Sequence, residues 1–510
     1  MSNTVNKCGT PIDASVGSTF NGGMNKTIIL GAFLLNATAT FAADELIKNA
    51  MVKIYCVQNR ADYYNPWSMK GPRSSTGSGC VIGERRILTN AHVVSDQTYI
   101  QIRKYGASRR YEARVLSVSH HADLALLTVD EPGFFEGISP LDLGVLPETQ
   151  QDVLVYGFPM GGDTLSTTKG VVSRIEHRTY VHSSIRLLAG QIDNAINPGN
   201  SGGPVISGGK IVGVVMQGLS GADNIGYMVP VPVVCHFLED LEDGRYDGFP
   251  TISALLQSME NPDLKRKYNV PEGESGVLVS KVLPNSPATG ILEVGDVVTH
   301  IEEYDVADDG TIEFRPNERT SVDYVEQLRQ VGASLSMQIL RAGKKSRVEL
   351  ALSRSVEADF LVALERYDVQ PSYYIYGGMV FCPLTKNLLK EWGSSWFSNA
   401  PKHLTHYITD NLIETDVTEI VVLLKVLAAS LNQGYHNSRM AIVEAVDGKP
   451  VNSLKDMIAL IEADGAGKNF VEIVTQAGTI MVLDREKAEK EKGRILEIYR
   501  IPSDRSSDLR

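Results

Sequence analysis

The sequence predicts a mainly β protein: a barrel or sandwich of short strands in the first half, followed by two smaller α+β units. Three observations carry that expectation. Between residues 51 and 239, short apolar runs recur at even spacing, each bounded by Gly, Pro, Asp or Asn, as strands joined by turns are. Beyond residue 242, such runs alternate with stretches of helical period. A chain of 510 residues, 43% hydrophobic and 22% charged, is longer than one core fills. The 22 Pro and 45 Gly are spread along it, which excludes global disorder. A net charge of -12 with no long Lys or Arg run excludes nucleic acid as an expected partner.

At the N-terminus, Thr27–Leu35 (TIILGAFLL) follows Met24, Asn25 and Lys26 and precedes small residues at Thr40 and Ala42. The apolar stretch is too short to span a bilayer. A lone positive charge, an apolar core and small residues instead predict a secretory signal over 24–42, cut after Ala42; an uncleaved amphipathic anchor is the alternative. Export predicts a bacterial periplasm or envelope, or an organelle lumen if the source is eukaryotic. Cys56, Cys80, Cys235 and Cys382 follow the cut and form no C-x-x-C or metal spacing. Cys56 and Cys80 lie in VKIYCV and GSGCVIG, two candidate neighbouring strands, so either a disulfide or two buried thiols fits.

The first β unit continues through RILTNAHVV, TYIQIR, EARVLSVS, DLALLTV, DVLVYGF, KGVVSRIE, PVIS and KIVGVVM. Gly208-Gly209 joins the last two as a tight hairpin turn, and Val231–Leu241 reads as a closing helix. A polar link, Glu242–Phe249, leads to GVLVSKVL, DVVTHIEE, VDYVEQLRQV and SMQILRAG. From about Ala358 a third unit follows, with GGMVFCPL, EIVVLLKVLA, MAIVEAVDGKPV, the helix SLKDMIALIEA and FVEIVT. ILEVGDVVTHIEEYDV faintly echoes RMAIVEAVDGKPV, each an apolar strand around an acidic-glycine turn, which makes an internal repeat plausible.

Chemistry concentrates in three segments: TNAHVV around His92, ADLALL around Asp123 and NPGNSGGP around Ser201. A serine hydroxyl is a poor nucleophile at neutral pH; it needs an imidazole to take its proton and a buried carboxylate to fix that imidazole's tautomer. His92 is then the base, Asp123 the orienter and Ser201 the nucleophile. Gly199, Asn200 and Ser201 form the expected oxyanion loop, with the Gly199 and Ser201 N–H groups as donors, because glycine lets backbone approach an oxyanion without a side chain between. Singly, these could be a turn, a strand cap and a structural histidine; together, in this order, they point to acyl transfer. Other constellations fail. Gly465–Asn469 lacks the upstream Gly and following Ser or Thr of a phosphate loop, so no ATP dependence is expected. His120-His121 has no completing ligand cluster, so neither a metal nor any other cofactor is expected. Tyr63, Tyr64 and Trp67, in a Pro-containing loop, could form an aromatic contact between subunits.

The segments TNAHVV, ADLALL and GNSGGPV resemble those of HtrA/Deg serine proteases, and GSGCVIGERRILTNAHVV, YGFPMGGDTLSTTKGVVSRIEH and DNIGYMVPVPVVCHFLEDLEDGRYDGFP are similar to the plant-type Deg branch with two PDZ units. The resemblance runs from about Glu45 to the C-terminus. It implies a chymotrypsin-like double β-barrel over 44–247, behind a leader over 1–43, then a PDZ domain over 248–356, a PDZ-like domain over 357–496 and a tail over 497–510. It further implies that Ile196, Ile225 and Tyr227 line a specificity pocket for a small or medium aliphatic side chain, with Asp223 a nearby loop residue. Arg174–Gln191 would be a sensor loop relaying PDZ occupancy. Phe249, Thr251, Ile252 and Ser253 would be a PDZ loop for peptide C-termini, although Ser253 stands where Gly is usual and Pro250 has no N–H. The second PDZ unit has no evident carboxylate loop, which suits packing or oligomerisation. The implied activity is ATP-independent endoproteolysis of unfolded or damaged proteins by a homo-oligomer built from trimers. A holdase or scaffold with minor proteolysis, and a regulatory protease with one substrate, are the alternatives.

Overall fold

In the computed structural model, two closed antiparallel barrels of six strands each make up the first half of the chain. The structure describes residues 43–160, 162–218, 225–463 and 469–510. The signal segment expected over 24–42, Asp223 and most of the Gly465–Asn469 stretch lie outside these residues.

A helix over 43–49 (α1) leads into the first barrel: β1 (Met51–Ala61), β2 (Met69–Ile82), β3 (Arg86–Thr89), β4 (Gln97–Lys104), β5 (Arg110–Ser119) and β6 (Leu124–Thr128). Their order around the barrel is β1-β2-β3-β6-β5-β4. The second barrel is β7 (Asp152–Gly157), β8 (Ser166–Thr179), β9 (Arg186–Ile192), β10 (Pro204–Ser207), β11 (Lys210–Gly218) and β12 (Gly226–Pro230), ordered β10-β11-β12-β9-β8-β7. β6 is buried at all five positions, which is why LALLT reads as a continuous apolar run rather than an alternating one. β2 changes character along its length, from an exposed polar start to a buried GSGCVI end that pairs Cys80 with Leu88 of β3. Gly208 and Gly209 both have positive φ, +57° and +79°, as a two-residue hairpin turn between β10 and β11 requires. The closing helix is α3 (Val231–Asp240), one residue shorter than expected, after the one-turn α2 (Ala91–Val94). Cys56, Cys80 and Cys382 are buried thiols, not disulfide partners.

The described chain forms two compact units. The first holds both barrels, as 43–58 and 73–249, together with 311–331, although the last segment lies inside the expected PDZ range. There β17 (Thr311–Arg315), β18 (Glu318–Ser321) and α5 (Asp323–Gln327) meet the β8–β9 hairpin through the buried His177. The His177 ring nitrogens lie 2.7 Å from Thr320 Oγ1 and 3.1 Å from Gln327 Oε1. Burial pushes the imidazole's pKa down to about 4.

The second unit joins 59–72, 250–310 and 332–510. One sheet runs β13 (Ala254–Ser258), β14 (Val277–Val282), β15 (Val297–Ile301), β19 (Ser334–Arg341), β20 (Lys344–Ala351), with β16 (Tyr304–Asp305) on β15 and α4 (Pro262–Lys267) alongside. The other runs β21 (Tyr374–Tyr376), β22 (Met379–Pro383), β23 (Val421–Val426), β24 (Ala441–Val446), β26 (Phe470–Thr475), β27 (Ile480–Asp484), with β25 (Lys449–Pro450) on β24. Its helices are α6 (Lys386–Lys390), α7 (Trp396–Asn399), α8 (Lys402–Thr409), α9 (Leu454–Glu462) and α10 (Arg485–Ile498). The sequence echo corresponds to matching short hairpins, β15–β16 and β24–β25. The expected tail is part of this unit: Ile375 N–H donates to Asp504 C=O and Ser506 N–H to Tyr373 C=O. The loop aromatics make contacts within the chain: Tyr64 meets Trp392 edge-on at 5.6 Å and Trp67 meets Tyr373 at 5.7 Å.

Candidate active site

His92 sits on α2, directly after β3, and Asp123 directly precedes β6, which pairs with β3. Two neighbouring strand ends therefore present the pair. Asp123 adopts φ +54°, a left-handed conformation that Asp tolerates better than most residues. The Asn90 side-chain amide holds its carbonyl at 2.8 Å. The Asp123 carboxylate, 1% exposed, accepts twice from His92: Oδ1 from the backbone N–H at 2.9 Å and Oδ2 at 2.7 Å from Nδ1. Burial, the largest single influence on His92, opposes its charge, but the charge of Asp123 and its hydrogen bond together raise the imidazole pKa above 6.5. On Asp123 burial also opposes the charge, which here acts upward, and the nearby imidazoles and hydrogen bonds bring the net pKa below the ordinary carboxylate value. Nδ1 is thus committed to Asp123, leaving Nε2 to take a proton.

Ser201 comes from the second barrel, on the loop before β10. Its hydroxyl donates to Met216 C=O at 3.4 Å, and among the described residues it makes no hydrogen bond to His92. The loop's glycines answer to close packing. Gly199 has φ +100°, and a Cβ there would come 2.5 Å from Phe158 O and 2.8 Å from Met160 N. Gly202, at φ +83°, sits directly against Ser78 O and Thr89 Oγ1. Among the described residues the Gly199 and Ser201 N–H groups have no acceptor, the condition an oxyanion site needs. Asn200, expected with them, differs: its N–H donates to Asn197 C=O at 3.0 Å, so it is a loop-closing residue.

Tyr227 is buried opposite Gln191 in the β12–β9 pairing, its hydroxyl 3.4 Å from Gln191 Oε1, and Ile196 packs on Gly226 next to it. Ile225, half-buried, directly precedes β12. The expected PDZ loop is built for another purpose. Phe249 is buried in a stack on His236. The Thr251 and Ser253 hydroxyls both donate to the buried Asp359 carboxylate, which also binds Arg354. Thr251 N–H donates to Arg354 C=O and Ser253 N–H to Thr251 Oγ1. Ser253 takes φ +56°, the glycine-like conformation of the position it fills, and Ile252 is buried. These donors are engaged internally and none of them is presented to a peptide carboxylate. His120 Nδ1 lies 3.0 Å from His182 Nε2, and the His182 ring is 6.2 Å from His92. Sequence reasoning missed His182, for which no local pattern gave a signal, and Ser78, whose place between two glycines in GSGCVIG did.

A double barrel with an Asp-His couple on the first barrel and a glycine-framed serine on the second defines a trypsin-like serine peptidase. The trypsin-like peptidase domain model matches residues 77–214 and the PDZ domain model residues 362–508. The chain is 38% identical over 475 residues to protease Do-like 2, chloroplastic, of Arabidopsis thaliana, covering 91% of this chain and 76% of that protein. With protease Do-like 4, mitochondrial, of the same plant it shares 35% over 466 residues, 91% of this chain and 86% of the relative. Among solved structures, the HtrA-type protease AlgW with decapeptide matches at TM-score 0.47 and 21% identity over 61% of this chain and 96% of that one. The chain belongs to the Do-like (HtrA/Deg) serine protease family, and it is a serine endopeptidase of HtrA type.

Proposed function

We propose that His92, Asp123 and Ser201 form the catalytic triad and that the Gly199 and Ser201 N–H groups form the oxyanion hole of an ATP-independent endopeptidase acting on unfolded or damaged proteins. The observation that carries this reading is the double hydrogen bond from His92 to Asp123, which commits the imidazole to one tautomer. In the reaction, Ser201 Oγ turns from Met216 C=O to His92 Nε2, loses its proton there and attacks the peptide carbonyl. The oxyanion is received by the two free N–H groups, and His92 returns the proton to the leaving amine. Ile196, Ile225 and Tyr227 shape an apolar pocket for an aliphatic side chain before the cut. Arg174–Gln191 remains the proposed sensor segment, supported by the contacts of β17, β18 and α5 with the β8–β9 hairpin. Peptide docking at the first PDZ unit is proposed at the open edge of β13 and not at the 249–253 loop.

The relatives' names refer to chloroplasts and mitochondria, so the proposed location is a eukaryotic organelle, and the periplasmic expectation is withdrawn. A trimer-based homo-oligomer and the domain limits 44–247, 248–356 and 357–496 remain proposals. Cleavage of a chemically unfolded protein without ATP, by the wild type and by Ser201→Ala, tests the reading. Loss of turnover by about 10⁶ in the variant is expected, and retention of a tenth of the activity would overturn it.

A further inference from the structure

The proposed oxyanion site depends on how two peptide planes around Gly199 are held. The plane before it is turned by Met160 N–H, which donates to Pro198 C=O at 2.7 Å. Because a trans peptide sets N–H opposite to C=O, this bond directs the Gly199 N–H away from Met160. The plane after it is held by a side chain: Ser78 Oγ donates to Gly199 C=O at 2.7 Å. The same oxygen accepts from Phe158 N–H at 2.8 Å, two residues before Met160. Ser78 also donates its own N–H to Ser201 C=O at 2.9 Å, and its carbonyl accepts from Thr89 Oγ1 at 2.7 Å. Ser78 is fully buried at the end of β2 in the first barrel, while its partners Phe158, Gly199 and Ser201 belong to the second.

From this geometry we infer that the Ser78 hydroxyl is a positioning residue for catalysis, bridging the two barrels to hold Gly199 and the 158–160 segment in the orientation that frees the Gly199 and Ser201 N–H groups. The inference rests on the triad and oxyanion assignment above and adds to it the group that holds the hole open. Glycine at 199, lacking a Cβ, has low barriers to rotation about its φ and ψ. Without the Ser78 oxygen, Gly199 C=O and Phe158 N–H are left buried without partners, and rotation of the loop toward other partners satisfies them at the expense of the oxyanion site. Ser78 does not touch the reacting atoms, so its loss weakens binding of the transition state and leaves binding of the ground state nearly intact.

The test is steady-state kinetics of Ser78→Ala on a peptide substrate, alongside Ser78→Thr, Ser78→Cys and Ser201→Ala, with thermal unfolding of each. A peptide aldehyde, whose hemiacetal places an oxyanion in the hole, serves as a second probe. Ser78→Ala is expected to lower kcat by about 10²-fold with KM within twofold, and to weaken aldehyde inhibition by a similar factor. Ser78→Thr, which keeps the oxygen, restores most of kcat; Ser78→Cys, a weak donor, does not. Should Ser78→Ala fail to fold, the Thr and Cys pair reads the same contrast. A folded Ser78→Ala or Ser78→Cys with unchanged kcat, or a change confined to KM, overturns the inference. An active Ser201→Ala would instead overturn the triad assignment, so the two failures are distinguishable.

Discussion

The Asp123→Asn substitution separates the chemical role of this side chain from its structural one. Asparagine keeps the shape, tolerates the left-handed φ of +54°, and leaves the Asn90 bond to the residue 123 carbonyl in place. The change therefore falls on the two bonds to His92. The backbone N–H of His92 needs an acceptor and finds one 2.9 Å away at Oδ1. An amide that satisfies it with its oxygen must turn its NH₂ toward Nδ1, at the position of the present 2.7 Å contact. Nδ1 then has to accept, the proton moves to Nε2, and in the proposed triad Nε2 can no longer take the Ser201 hydroxyl proton. The equivalent exchange in the general serine-protease scheme lowers kcat about 10⁴-fold, which corresponds to about 5 kcal/mol of transition-state stabilisation. The assay is kcat and KM on a fluorogenic peptide, paired with thermal unfolding. A properly folded Asp123→Asn enzyme within tenfold of wild-type kcat would refute the tautomer argument, whereas a lost fold would move the role of Asp123 from chemistry to stability.

Three further outcomes follow from the same geometry. The acid limb of kcat/KM should have its midpoint above 6.5, because Asp123 raises the His92 pKa and only neutral His92 accepts the serine proton; a midpoint below 6 would contradict this. Gly202→Ala should lower stability by roughly 3 kcal/mol, since a side chain at φ +83° would press on Ser78 O and Thr89 Oγ1; denaturant titration showing less than half that change would be inconsistent with the packing. His177 is held neutral by burial with its folded pKa near 4, so the unfolded chain binds the extra proton between pH 6.5 and 4. Stability should therefore fall as pH drops through that window, by roughly 1–3 kcal/mol, and His177→Gln should flatten this part of the pH–stability curve.

The legible parts of this chain are those whose local chemistry and tertiary role coincide. RILTNAHVV and DLALLTV were readable because both strands are buried and lie directly beside the proposed catalytic residues, His92 after β3 and Asp123 before β6. The Gly208-Gly209 turn was readable because only glycine enters two successive positive-φ positions cheaply. β9 and β12 escaped for opposite reasons to these. RLLAGQI has an Ala-Gly pair that breaks its pattern, yet Gly190 is held by the close approach of Met228 across the β9–β12 pairing. GYMVP begins and ends in residues that usually break strands, yet all five positions are buried in the barrel wall. The proposed triad was visible as three motifs, but the orientation of Ser201 toward Met216 was not, because it depends on a strand fifteen residues away. The internal contacts of the 249–253 loop were not legible because their partner, Asp359, is remote in sequence and no local rule connects them.

The two barrels divide the chemistry. The first supplies the proposed proton-transfer couple, fixed by strand pairing between β3 and β6 and by bonds that stay within that barrel. The second supplies the proposed nucleophile and oxyanion donors, on a loop whose conformation is set partly from within, by the 158–160 segment, and partly from the first barrel, by Ser78. The His92–Asp123 couple is held by bonds within the first barrel, while the conformation of the proposed oxyanion loop rests on a few hydrogen bonds, some of them from Ser78 of the first barrel. Each such bond is worth about 1 kcal/mol net, so loss of the two made by the Ser78 hydroxyl removes about 2 kcal/mol from the present loop conformation. Any control over activity in such an enzyme acts most economically on the second barrel's loop, because there a small change in contacts alters catalysis without disturbing the acid–base pair or the fold that carries it.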